Sequence, residues 1–462
     1  MRSSTILLLI ALLVNRLSAA AAPARADNAD WSVGIATVRI TPDKPVVLAG
    51  YAARTKPFEK VEQEIEAKAL AMKDTQGHRA VLVTMDLCTL PPDVADPVRQ
   101  QIAGREGLEI SQVVLSVSHT HSAPVVALAL AEGPSRTGAR AQETAAYTRS
   151  LQNKLIDVAH DALARMEPAR LSWGTGVADF VMNRRQFTDK GIILGVNPRG
   201  LVDRSVPVLR IDSPDGKLRA VIFGYACHNT TLPSNYLAVS GDYAGYAKAY
   251  VQQQFPGAQA LFMMGCGGDA NPYPREQAPL GRLHGEELGK EVCRVLGTKL
   301  QAVSGPLTCA AATAELPLQA PTRDALQEVA KHGPGYNREA AQQMLDMVDR
   351  GEHLARSYSA PIAVWQFGAD LTLVCLPDEV VAGYVPDLED AIGPMRLWIA
   401  AYCNEVAGYV PTRRILQQGG YETRGLYAGA GWFAPEVEQV LVSTTRDAAI
   451  KAGRQPADRP AP

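Results

Sequence analysis

Aromatic side chains are scarce in this chain, at 6% of 462 residues, and neither sign of charge dominates: 46 Lys and Arg stand against 48 Asp and Glu. Without a basic excess there is no electrostatic footprint for a phosphate backbone, so nucleic acid is excluded as the expected partner. None of the seven cysteines, Cys88, Cys227, Cys266, Cys293, Cys309, Cys375 and Cys403, forms a CxxC pair. Their odd number leaves at least one unpaired within the chain, and several lie in apolar runs where a buried thiol is the ordinary state. After residue 14 no run is long and apolar enough to span a membrane. At 47% hydrophobic and 20% charged, the composition excludes a disordered chain and a multi-span membrane protein.

What is there begins with an export signal. Arg2 precedes the apolar run Ile6–Val14, and Ala24-Arg25-Ala26 offers a small-residue cleavage site before Asp27. Residues 1–26 therefore read as a signal peptide and the protein as exported, periplasmic or secreted, with a retained membrane anchor as the alternative. No cysteine near the run marks a lipoprotein.

Buried apolar strands alternate with helical segments along the rest of the chain. Strands are expected over 32–41, 64–72, 80–85, 112–117, 171–177, 206–211, 220–226 and 259–264, and helices over 94–104, 142–165, 244–255 and 284–296. Residues 301–320 read as extended and 323–356 as helical stretches interrupted near Gly333-Pro334-Gly335. Two strands over 363–376, a short strand over 395–401 and a helix over 432–448 follow. The pattern implies one large α/β domain with a mixed sheet. The Pro-rich residues 454–462 read as a loose tail.

With only eight histidines, position is informative. His119 and His121 are spaced i, i+2 directly after a buried strand, and His228 follows another. Imidazoles fixed at strand ends suit Zn²⁺, and Glu379 could complete a mixed N/O set. Such a histidine could equally brace a loop. Asp86, Asp242, Asp269 and Glu379 also follow apolar or glycine-rich stretches, though Asp242 and Asp378 could be helix caps. His284 is expected at the start of a helix, as a cap or surface residue. The run Gly265–Asp269 could present a nest of N–H groups to an oxyanion or be a tight turn. It lacks the GxGxxG and GxxxxGK[ST] spacings of nucleotide sites.

Together these motifs carry a resemblance. Ser118-His119-Thr120-His121-Ser122-Ala123-Pro124 resembles the histidine-rich motif of the neutral ceramidases, non-lysosomal zinc amidases of sphingolipids. Asn183-Arg184, Ala226-Cys227-His228, Gly241-Asp242 with Gly245-Tyr246-Ala247, and Pro377-Asp378-Glu379 resemble further family segments in the family's order. So do Asn404, Gly408-Tyr409-Val410-Pro411-Thr412, Tyr421-Glu422 and Leu426-Tyr427. The resemblance implies a single catalytic domain of that type over residues 27–453. It implies one Zn²⁺ held by His119, His228, Glu379 and Tyr409, with His121 as a second active-site histidine and Arg184 as a substrate contact.

Departures are equally specific. The family's Gly-Asp-Val-Ser-Pro-Asn segment becomes Gly268-Asp269-Ala270-Asn271-Pro272. Asn271 therefore stands where a serine is expected, and no serine nucleophile exists there. Arg184 is followed by Arg185-Gln186, Asp378 replaces a glycine, and little chain remains after Tyr427 for the longer members' immunoglobulin-like domain. The implied activity is hydrolysis of an amide in ceramide or another N-acyl lipid, with transient contact to a membrane surface. The alternatives are another polar amide or ester, such as an amino-sugar derivative, and an exported metal-containing binding protein without catalysis. Oligomeric state is not legible.

Overall fold

The computed structural model describes residues 29–128, 139–333, 335–427 and 431–455. The expected signal peptide, and the tail beyond residue 455, lie outside them. Two β-sheets stack between two layers of helix, which bears out the expected α/β class with a large mixed sheet. The large sheet has nine strands. From one edge it runs Gln259–Met264, Leu218–Tyr225, Ser205–Asp212, Glu167–Val177, Trp31–Arg39, Glu66–Asp74, Arg79–Met85 and Val113–Val117, with Gln301–Val303 added beside Glu167–Val177. The outermost pair at each edge is parallel and the pairings between them are antiparallel. Parallel pairing suits strands covered on both faces, and Val113–Val117 is buried at every residue.

The small sheet is ordered Leu307–Pro317, Ser357–Phe367, Leu371–Cys375 and Leu397–Ala400. Alternate residues of both sheets interleave between them, among them Trp31, Leu70, Leu82, Ile222, Leu261, Trp365, Leu373 and Trp398. On the far side of the large sheet lie the helices Pro92–Glu106, Ala139–Ala164, Asp242–Gln254 and Ala278–Leu296; Val437–Lys451 covers the small sheet.

The last turn of architecture places the site. Immediately after Leu397–Ala400, residues 401–404 run between the two edge strands of the large sheet. Ala401 donates its N–H to Met264 O at 2.9 Å, Val117 donates to Tyr402 O at 3.1 Å, and Asn404 donates to Leu115 O at 2.6 Å. Asn404 Oδ1 also accepts the Leu115 N–H at 3.2 Å, so this side chain completes the edge ladder. Strand ends that lie at opposite edges in the sheet order thus meet at one place.

Several expectations are corrected. The helix expected from 284 begins at Ala278, so His284 is inside it. Its imidazole is buried, stacks on Phe180 and bonds Pro274 O at 2.7 Å, because the neighbouring core needs an aromatic with a polar edge. The helix expected from 432 begins at Val437; the preceding Phe433 instead bridges to Leu318. The hairpin Val181–Thr188/Gly191–Asn197 and the helix Tyr384–Ile392 were not anticipated.

Candidate metal centre

Each candidate donor sits just past a strand whose apolar sequence anchors it. Val113–Val117 delivers His119, Leu218–Tyr225 delivers His228, and Leu371–Cys375 delivers Glu379. Glu379 and Tyr409 are register partners in the short parallel pair Glu379–Val380/Tyr409–Val410. The chain turns sharply here. His119, Asp378, Tyr402 and Asn404 all have φ between 56° and 65°, a left-handed conformation that non-glycine residues adopt at a cost. Gly268 permits a close backbone approach: a Cβ there would meet Glu379 O at 2.5 Å.

Three donor atoms converge. Glu379 Oε2 lies 3.2 Å from His119 Nε2 and 3.0 Å from His228 Nε2, and all three residues are buried. The other nitrogen of each imidazole is committed to backbone oxygen: His119 Nδ1 to Cys88 O at 2.7 Å, and His228 Nδ1 to Gly267 O at 2.8 Å and Ala270 O at 3.1 Å. Those bonds orient both Nε2 atoms inward, the outer-shell arrangement that metal-ligating histidines show. Tyr409 Oη lies 3.5 Å from His228 Nε2. Two imidazoles, a carboxylate and a phenol converging in this way fit a divalent cation that accepts N/O ligands.

The electrostatics agree with a cation position. Burial opposes charge on His119, but Glu379 and Cys88 together outweigh it and lift the imidazole to about 10. Burial, with Arg184 and His119 nearby, holds His228 down at about 3. Burial would raise Glu379, yet His119 and the hydrogen bonds from both histidines carry it well below the usual carboxylate range.

The remaining sequence candidates gather around this centre. His121 Nε2 is 3.1 Å from His119 Nε2, while its Nδ1 has no partner among the described residues. Its ring is seated by Tyr51, edge-on at 5.0 Å, and by Gly50, where a Cβ would meet the imidazole at 2.3 Å. Arg54 donates to the backbone oxygen of His121 and to Ala49, Pro233, Ser234 and Tyr236, tying three loops together. Arg184 places Nη1 3.0 Å from His228 Nε2 and 3.4 Å from Asn271 Oδ1. Asn271 Oδ1 also lies 3.4 Å from the Thr230 hydroxyl, so its carbonyl end is turned toward these donors.

Three residues of the centre had been given no role. Tyr402 donates to Glu379 Oε2 at 3.2 Å and Tyr427 donates to Oε1, so both carboxylate oxygens are held. Glu422 is fully buried and accepts from Arg184 Nε at 2.8 Å and Arg185 Nη1 at 2.5 Å. The Tyr421-Glu422 and Leu426-Tyr427 motifs pointed to the latter two; Tyr402 carried no signal beyond its nearness to Asn404. The other carboxylates hold backbone. Asp269 accepts from Ala382 N and Asn183 Nδ2, and Asp86 pairs with Lys248 Nζ at 2.6 Å. Asp378 accepts from Ala407 N rather than capping a helix, and Asp242 opens the helix Asp242–Gln254 while tethering Leu232 N. The Gly265–Asp269 run is a turn: the N–H groups of Gly265, Gly267 and Gly268 are all bonded to backbone oxygens.

With this geometry in place, comparison with known proteins is specific. The N-terminal family of neutral/alkaline non-lysosomal ceramidases matches residues 31–344. Neutral ceramidase B of Dictyostelium discoideum is 26% identical over 246 residues, 50% of this chain and 33% of that protein. The neutral ceramidase of Pseudomonas aeruginosa (strain PAO1) is 24% identical over 242 residues, 50% of this chain and 35% of that protein. The matches thus span about a third of these relatives' length. The crystal structure of a Pseudomonas aeruginosa neutral ceramidase superimposes with a TM-score of 0.71 at 19% identity, covering 94% of this chain and 76% of that one. A ceramidase complexed with C2 gives 0.69 at 18% identity, covering 94% and 77%. These structures share the fold. Glu379 and Tyr409 lie beyond the matched residues 31–344.

Proposed function

Because the chain belongs to the neutral/alkaline non-lysosomal ceramidase family, we propose that it is a zinc-dependent amidohydrolase of ceramide or a closely related N-acyl lipid. One observation carries the reading: His119, His228 and Glu379 converge with both imidazoles already oriented by backbone carbonyls. In this proposal those three and Tyr409 hold Zn²⁺. Zinc, when bound, supplies Lewis acidity that polarises a carbonyl and lowers the pKa of water.

The chain's own groups do the rest. Tyr402 and Tyr427 fix the carboxylate of Glu379. His121, whose Nε2 faces the donor cluster, takes a proton from the attacking water and passes it to the departing amine. Arg184 reaches the same space with an unpartnered Nη2, and in this proposal the amide of Asn271 donates to a substrate oxygen. A preorganised pair of donors of this kind stabilises oxyanion charge in a site from which water is excluded. No covalent acyl-enzyme is expected.

Arg184, Asn271 and Thr230 also form a polar wall, which favours a second reading in which the substrate is another polar amide, such as an amino-sugar derivative. We further propose export to the periplasm or medium, resting on Ile6–Val14 and Ala24-Arg25-Ala26; N-terminal sequencing of extracytoplasmic protein tests it. For the activity, the experiment is mass-spectrometric turnover of zinc-loaded protein on ceramides, other N-acyl lipids and N-acylated sugars. Release of fatty acid from ceramide, abolished by chelation and restored by zinc, is the expected result. Turnover confined to acetylated sugars would replace the lipid reading, and none on any amide would end both.

A further inference from the structure

The hairpin Val181–Thr188/Gly191–Asn197 has an inner and an outer half. At the inner end Arg184 and Arg185 are buried against Glu422. Nearer the tip Phe187 is 58% exposed, and Leu194, opposite Arg185, is 51% exposed; Ile193, on the other face, and Val196 are exposed as well. The register is Arg185↔Leu194 and Phe187↔Ile192. Paired and alternate residues share a face, so Arg185, Phe187, Ile192 and Leu194 lie on one side of the hairpin. From that side Arg185 reaches Gly419 O at 2.7 Å, and Ile192 sits against Gly420, where a Cβ would meet it at 2.9 Å. The apolar face therefore continues directly into the segment that carries Tyr421 and Glu422 beside the metal centre. Monomeric proteins rarely leave clustered large apolar side chains bare without a binding role.

We infer that the exposed apolar side of this hairpin is the surface by which the protein docks on a lipid bilayer, Phe187 and Leu194 entering the acyl boundary. The inference rests on the N-acyl lipid reading for its occupant, since such a substrate is presented in a lipid surface. Charge at the tip supports a bilayer of no particular sign: exposed Lys190 is offset by adjacent exposed Asp189, and Arg199 stands alone further along. Binding should accordingly need apolar entry more than anionic lipid. Among the described residues no helix is long and apolar enough to cross a membrane.

The test uses the zinc-loaded full chain and phosphatidylcholine vesicles without any amide substrate. The wild type should float with the vesicles, and Phe187→Trp should show a blue-shifted emission on binding. The pair Phe187→Ser with Leu194→Ser should lower the partition coefficient by about 10²-fold, roughly tenfold for each apolar side chain removed. Circular dichroism and zinc content should be unchanged, and turnover of a short-chain, fully dissolved amide should stay within about twofold of wild type. Failure of the wild type to bind vesicles, equal binding by the double variant, or a dimer in sedimentation velocity that the double variant dissociates would each overturn the inference. Vesicle binding by a protein that hydrolyses no amide would leave the docking surface standing and sink the hydrolase reading.

Discussion

The two halves of the strand Val181–Thr188 differ sharply in what surrounds them. In its first half, Asn183, Arg184 and Arg185 are buried, and charge is matched by Glu422 and Asp269. Two residues after Arg185, Phe187 stands in solvent. The contrast follows from what burial costs. A guanidinium removed from water must be bonded, so the inner half tolerates little change. An apolar side chain left in water costs less and is available for another surface. Chemistry needs the first condition and adhesion needs the second, and one strand supplies both.

The comparison can be broken first at the metal. His119→Ala or His228→Ala should abolish zinc binding and lower kcat/KM by about 10³-fold or more, on soluble and vesicle-held substrate alike. Zinc content and kinetics on the same preparation decide it; near-stoichiometric tightly bound zinc in the double variant would remove these residues from the site. Glu379→Gln should weaken zinc while keeping the fold, because shape is retained and charge is lost. Next is Glu422→Gln. It leaves two buried guanidinium groups facing a neutral amide, and urea denaturation should show a loss of about 3–5 kcal/mol. A loss under 1 kcal/mol would mean that the inner half is not held by this pairing.

His121→Ala should retain zinc yet lose about 10²-fold in rate, with His121→Gln recovering little if a proton must move. Zinc loss parallel to activity loss would make His121 a ligand instead and reopen the place of Tyr409. Asn271→Ala should cost about 10²-fold in kcat, the lower end for removing a preorganised donor. Asn271→Ser asks whether this departure alone limits ceramide use; equal ceramide rates in the two proteins would locate specificity elsewhere. The smallest effect is expected at the hairpin tip, where Phe187→Ser should leave turnover of dissolved substrate within about twofold. A large loss there would erase the distinction between the halves.

Much of the site was legible before the fold. His119 and His228 follow runs so apolar that only buried strands accommodate them, and a polar residue at the end of such a strand is held where the backbone stops. The hairpin was not legible, because Arg184-Arg185-Gln186 breaks the alternation that marks a strand, and Gly191–Asn197 is apolar yet exposed. Tyr402 was hidden for another reason: its hydroxyl matters only because residues 401–404 pass between two strands far apart in sequence.

What the sequence determined by itself is local. Apolar periodicity set the strands and helices, and the motif order identified the family together with seven side chains that the fold then gathers. Tertiary structure alone decided how they meet. Val113–Val117 and Gln259–Met264 are opposite edges of one sheet, and nothing in either predicts that Ala401 and Asn404 will bond to both. The reason is physical: the exposed edge of a buried strand must find backbone partners, and which segment supplies them depends on the packing of a second sheet built from a later part of the chain.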